Sequence, residues 1–212
     1  MRRALSPAAV RLAAWLSGAW LLGACVTLPE AQQVESFRLS APATPAAQTG
    51  ATARAVPVAV EQPIAQGALA TDRIVVIVDD RVQVVSGARW DERMPEMLNR
   101  QIARALQAGG GVDVVDGAQR AGRADFALVT VLESMHVAIG DDLRGEARTE
   151  IGARLVRLPG RDIVATSIFS GTAPAPSDDP ASLTRAIDAA TSAAIRDLVG
   201  WVGAQVGAGR SS

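Results

Sequence analysis

Lysine is absent from the chain, and all 21 basic residues are arginine. A Walker A lysine, a Schiff-base lysine and a Ser-Lys dyad are therefore impossible, so an ATPase reading is excluded. Tyrosine is absent too, aromatics make up 3% of residues, and there is one cysteine and one histidine. One thiol cannot form a disulfide within the chain, which is compatible with an oxidising periplasm. A zinc site would have to be completed around His136 by carboxylates alone. The formal charge of −1 offers no basic excess of the kind that nucleic-acid binding requires.

The cysteine closes a targeting segment. Arg2, Arg3 and Arg11 make a basic start, and Leu12 to Ala24 is an uncharged, largely apolar run. That run is shorter than the about 20 residues of a membrane-spanning helix. Leu22-Gly23-Ala24-Cys25 matches the lipobox of bacterial lipoproteins. Its small residues admit the chain to a signal peptidase, and its cysteine takes diacylglycerol before cleavage. Residues 1–24 thus read as a lipoprotein signal peptide, 25–35 as a lipidated tether and 36–208 as one folded domain. Cleavage removes three arginines with the first 24 residues, which moves the formal charge from −1 to −4 over the remaining 188. Val26 follows the cysteine, not the aspartate that commonly retains lipoproteins in the inner membrane. The periplasmic face of the outer membrane is the expected location.

The stretch Leu69–Gly111 organises the domain. Arg73–Val78 is a nearly continuous apolar run, the pattern of a strand covered on both faces. Asp79-Asp80 suits a two-residue turn, and Val82 and Val84 continue at strand period. Ser86-Gly87-Ala88 breaks that pattern, after which Arg89-Trp90 leads into a helix that Asp91 can cap. Met94, Met97, Leu98, Ile102 and Leu106 give this helix one apolar stripe, and Gly109-Gly110-Gly111 ends it.

Around this unit, Phe37 and Leu39 suggest an edge strand, and the Ala/Pro/Thr-rich 41–53 reads as a mobile loop. Val56, Val58 and Val60 alternate, with Pro57 pointing to an edge or a bulge. Val112–Val115 is a short strand. Ala124–Val137 is a longer one, with Phe126, Leu128 and Leu132 on one side and Val129 and Val131 on the other. Ala147, Thr149, Ile151, Ala153 and Leu155 share one face of the next strand. Ile163–Thr172 follows, stopped by Pro174, Pro176 and Pro180. Asp179 caps a final helix that Pro180 opens, with a stripe of Leu183, Ile187, Ala190, Ala194, Leu198, Val202 and Val206. The expected fold is α+β: an antiparallel or mixed sheet packed with two main helices in a single domain.

The chain is poor in signals for chemistry. Asp79-Asp80, Asp141-Asp142 and Asp178-Asp179 sit where turns and caps are expected, and neighbours on an extended chain point apart. A Ser-His-Asp triad on His136 has Ser86, Ser134, Ser167 and Ser170 as nucleophile candidates, none in a G-x-S-x-G elbow. The glycine triplet follows a helix instead of opening one, which suits a cap and not a phosphate site. Trp90 reads as a core residue at the junction of strand and helix. Arg93, Arg100 and Arg104 read as a solvated helix face, with contact to an acidic partner or lipid headgroups as the alternative.

The order TDRIVV, a turn, RVQVVSGARW and a helix opening DERMPEML resembles the ABC-type transport auxiliary lipoprotein family. That family includes the paraquat-inducible lipoprotein associated with Mce-type lipid transport. SFRLS, ADFALVTVLE, GARLVRLPGRDIVATSIFSG and the final helix follow in the family's order, so the resemblance covers most of the mature chain. It implies a non-enzymatic component without a cofactor, held to the membrane by its lipid. It also implies an Mce-domain protein and an ABC permease and ATPase as partners, and it is compatible with a homo-oligomer. The alternative is a stand-alone periplasmic lipid- or glycan-binding lipoprotein, with a pocket between sheet and helices. A third reading is a periplasmic hydrolase built on His136 or the carboxylates.

Labelled palmitate should enter the wild-type chain and not Cys25→Ala. Equal labelling of the two would refute acylation at that residue.

Overall fold

The computed structural model describes residues 34–40, 55–109, 111–115 and 122–208. The signal segment, Cys25, nearly all of the tether and the expected loop at 41–53 lie outside them. The elements in order are β1 (Glu35–Phe37), β2 (Val56–Val60), a 3-10 turn (Gly67–Ala70), β3 (Arg73–Val78) and β4 (Arg81–Trp90). Then come α1 (Met94–Gly109), β5 (Val112–Val115), β6 (Phe126–Ile139), β7 (Gly145–Arg157), β8 (Asp162–Ala175) and α2 (Pro180–Ala208).

The eight strands form one mixed sheet joined by β6. β7 pairs antiparallel with β6 from Phe126↔Arg157 to Ile139↔Gly145. The other edge of β6 is shared. β2 lies parallel to its start (Val58↔Phe126), Ile64 bridges Val131, and β3 lies parallel to its end (Val78↔Ile139). β5 continues the sheet beyond β2, β4 and β1 beyond β3, and β8 beyond β7. With two helices beside this sheet, the architecture is the expected α+β.

Both helices bury their stripes on one face of the sheet. Met97, Leu98 and Ile102 of α1 are fully buried, as are Ala190, Ala194, Leu198 and Val202 of α2. They meet Ala147, Ile151, Ala153 and Leu155 of β7 in a single core cluster. A Thr149–Thr191 hydroxyl pair, 3.0 Å apart, satisfies two buried oxygens across the β7–α2 contact. The short segment around β1 ties down both helices. The Leu39 carbonyl accepts from Gln101 Nε2 of α1 at 2.9 Å, and the Ser40 N–H donates to Asp188 Oδ1 of α2 at 2.7 Å.

Turn and cap chemistry follows the local sequence. Asp79 and Asp80 take φ of 50° and 58°, the left-handed pair that a tight hairpin needs and that Asp tolerates better than most residues. Asp179 caps α2: its Oδ1 accepts the Ser182 N–H at 2.9 Å and its carbonyl the Leu183 N–H at 3.0 Å.

Four local expectations are corrected. β4 does not break at Ser86-Gly87-Ala88 but bulges there, with Gly87 at φ 72°, and the strand resumes to Trp90. Gly87 supplies the positive φ that re-aims the strand without ending it. Asp91 does not cap α1, which starts at Met94; its carboxylate takes the Arg38 guanidinium and its N–H donates to Phe37 O at 2.9 Å. Pro57 lies inside the sheet, because β2 is flanked by β5 and β6. Val56 N–H donates toward β5 and Glu61 N–H toward β6. By that alternation position 57 faces β6 one residue before their pairing begins at Val58, so the missing N–H removes no ladder bond. Pro174 does not stop β8, which runs to Ala175; β8 pairs only with β7, and an edge strand accommodates proline.

The tightest contact is between β8 and α2. A Cβ added at Gly171 would lie 2.0 Å from the Ala190 carbonyl oxygen and 3.0 Å from Ala193 Cβ. Gly171→Ala should therefore lower unfolding free energy by about 1–3 kcal/mol or more through overpacking. Gly203, on the exposed side of α2 with open space around it, gives the opposite expectation: Gly203→Ala should add about 0.5–1 kcal/mol. Denaturant titration of both variants checks the pair. A neutral Gly171→Ala would refute the close approach.

Candidate functional site

Neither helix covers the second face of β6, β7 and β8. Strand period places Val129, Val131, Ser134 and His136 of β6 there, opposite Arg154, Gly152, Glu150 and Arg148 of β7. A bulge between Leu132 and Ser134 shifts the phase of β6. The buried positions accordingly change from even (Phe126, Leu128, Leu132) to odd (Met135, Val137).

The upper part of this face is polar and internally paired. Arg148 Nη2 donates to Glu150 Oε1 at 3.1 Å, and Ser134 Oγ donates to Glu150 Oε2 at 3.3 Å. The Arg148 hydrogen bond holds the Glu150 carboxyl below its ordinary range and raises the guanidinium. His136 sits half-buried beside them. Burial lowers its pKa first, Arg148 lowers it further, and Glu150 opposes both.

The lower part is a cleft of about 610 Å³, within the about 300–1,000 Å³ of small-molecule sites. Ala127, Val129 and Val156 form its floor, Leu158 and Pro159 a wall, and Glu61, Asp125 and Arg161 its charges. Backbone bonds fix the rim. Asp125 N–H donates to Pro57 O at 2.9 Å, Leu158 N–H to Asp125 O at 2.9 Å, and Arg161 N–H to Arg157 O at 2.8 Å. Among the described residues, the interior between sheet and helices holds the fully buried side chains of the core, and this cleft lies on the other face.

The residues singled out in the sequence are dispersed. Asp79-Asp80 and Asp141-Asp142 lie in turns, and Asp178-Asp179 lies at the start of α2. Ser86 lies in β4, Ser167 and Ser170 lie in β8, and Ser134 gives its hydroxyl to Glu150. Among the described residues no group of three or more His, Cys, Asp or Glu side chains converges on a metal position. Trp90 is 2% exposed, and its backbone N–H donates to the Asp72 carbonyl at 2.8 Å. Trp201 packs against Phe169, ring centroids 5.5 Å apart.

Arg93, just before α1, and Arg100 and Arg104 within it differ from one another. Arg93 donates through Nε and Nη2 to the Ala70 carbonyl at 3.1 and 2.8 Å, and Arg100 grips both oxygens of Glu92 at 2.8 and 2.6 Å. Arg104 is exposed. The cleft itself went unread in the sequence. Its signal was the apolar outer side of β6, where Val129 and Val131 exceed what a solvated face needs.

The sequence matches the model of a protein family described as ABC-type transport auxiliary lipoprotein component over residues 37–199. No curated protein matches it significantly. Among solved structures, the Xanthomonas campestris protein XCC0632 is similar with a TM-score of 0.72 at 20% identity, covering 83% of this chain and 99% of the other. The Chlamydia trachomatis protein CT253 gives a TM-score of 0.53 at 10% identity, covering 72% of this chain and 98% of the other. At these identities the likeness is one of fold.

The single histidine makes the polar row measurable. Because the folded imidazole binds its proton less readily than a free one, His136 stabilises the fold fully above the ordinary value of 6.5, and that contribution is lost as pH falls through the folded pKa. The imidazole NMR titration should have its midpoint below 6.5. Arg148→Ala should raise the midpoint and Glu150→Gln lower it further. A wild-type midpoint at or above the ordinary value would contradict the arrangement.

Proposed function

The chain belongs to the family of ABC-type transport auxiliary lipoprotein components, and from that membership we propose a non-enzymatic subunit that assists Mce-type lipid traffic between the inner and outer membranes. On this reading Cys25 anchors it at the periplasmic face of the outer membrane. Several acyl chains hold a protein there far more firmly than one. The energy comes from a separate ATPase, since a chain without lysine has no Walker A site. The observation that carries the reading is the family match along residues 37–199.

The contact proposed for an Mce-domain partner is the exposed face of α1. Arg104 is the cation there that supports docking best, because Arg93 and Arg100 already hold the 3-10 turn and Glu92. The second reading, a stand-alone binder, draws support from the cleft. Its apolar floor favours a lipid over a glycan, since glycan recognition relies on exposed aromatic faces and Trp90 is buried.

Mild crosslinking in membranes that express the whole transport system should join the protein to an Mce-domain protein. Arg104→Glu should reduce that product while leaving the melting temperature unchanged, because exposed substitutions cost within about 0.5 kcal/mol. Absence of any transporter component from the crosslinked product would overturn the auxiliary reading in favour of the stand-alone binder.

A further inference from the structure

The cleft continues into an apolar strip along the open face of the sheet. From Ala127 the strip passes Val129, beside exposed Arg154 of β7, to Val131, about 14 Å at 3.4 Å per residue. Ile168, 65% exposed, lies two strands away in the same row, beyond Gly152. Glu133 closes the far end: a Cβ on Gly152 would lie 3.2 Å from Glu133 Oε1, so that carboxylate folds over the glycine. The near end opens at Asp125 and Arg161, both exposed, neither paired with another described side chain, and both lining the cleft. Glu61 is already engaged.

These charges discriminate between ligand classes. An uncharged alkyl ligand would fill the strip and gain nothing from the exposed Asp125 and Arg161. A purely anionic amphiphile would gain Arg161 but bring its charge toward Asp125. A headgroup that carries both signs meets both residues. Arg161 holds φ at 63° as part of the turn between β7 and β8, so its backbone is fixed at the cleft mouth by the turn.

We propose that the cleft binds a zwitterionic amphiphile, with one acyl chain along Ala127, Val129 and Val131, a phosphate at Arg161 and an ammonium at Asp125. The proposal rests on the lipid-binding reading above and names the ligand class of that site. Each charged contact supplies a charge-assisted hydrogen bond, and the floor supplies affinity that does not depend on the headgroup.

The test uses the mature acylated chain in a nonionic detergent, titrated with lysophosphatidylethanolamine, lysophosphatidylglycerol and a free fatty acid. Native mass spectrometry and the melting temperature report binding. The zwitterionic lipid should bind one-to-one, saturably and most tightly. Asp125→Asn and Arg161→Gly should each weaken it about tenfold, and Val129→Glu should abolish it. Arg161→Gly is the decisive variant, because glycine accepts this φ without strain and folding is not at risk. Equal affinity for the three amphiphiles, unchanged affinity in Arg161→Gly, or no saturable binding would overturn the proposal. Crosslinking of the wild-type chain to the transporter is scored separately: saturable lipid binding without a transporter complex keeps the proposal and removes the auxiliary reading, and a transporter complex without saturable lipid binding does the reverse.

Discussion

The approach of α2 to β8 at Gly171 governs the rest of the structure. Helix backbone reaches strand backbone there with no room for a Cβ, so the alanines of α2 can lie directly on the sheet. Close contact brings Leu198 and Val202 into the same cluster as Ile151 and Leu155. The outcome is an interior packed at the density that makes protein cores intolerant of a single added methylene. Among the described residues, the space between sheet and helices is filled by the side chains of this core, and the cleft opens on the other face.

What the sequence revealed was whatever repeats with a regular period. The stripe from Leu183 to Val206 and the alternation from Ala147 to Leu155 are uninterrupted over many residues, and each side chain lies on the face that its spacing indicates. Irregularities were hidden because they are single-residue events. The bulge at Leu132/Ser134 and the one at Gly87 each shift the phase of a strand, and nothing in either stretch distinguishes a bulge from a break. Pro57 and Pro174 were misread for a related reason. Whether a missing N–H matters depends on which neighbour it would have faced, and strand order is a property of the whole chain. The sharing of one edge of β6 between β2 and β3 is likewise invisible locally.

The arginines show the same limit for charge. Helical spacing put Arg93, Arg100 and Arg104 together on a solvated face, yet two of them have structural partners. Those partners lie outside the helix, in Glu92 before its first turn and in the Ala70 carbonyl of the 3-10 turn. An exposed charge read from periodicity is therefore an upper bound on the charge free to meet a partner.

The open face follows that logic too. Its upper charges, Arg148 and Glu150, neutralise one another across one hydrogen bond, and Ser134 adds a second donor to the same carboxylate. Groups already paired in this way offer a ligand little, because a new partner must first displace an old one. Below them the floor of the cleft turns apolar at Ala127, Val129 and Val156, with Arg154 of β7 opposite Val129. Discrimination on this face thus falls to the few charges at the mouth of the cleft, and affinity to the valines beneath. The single histidine, the feature that first invites a catalytic reading, stands beside the paired Arg148 and Glu150 and is not among the residues lining the cleft.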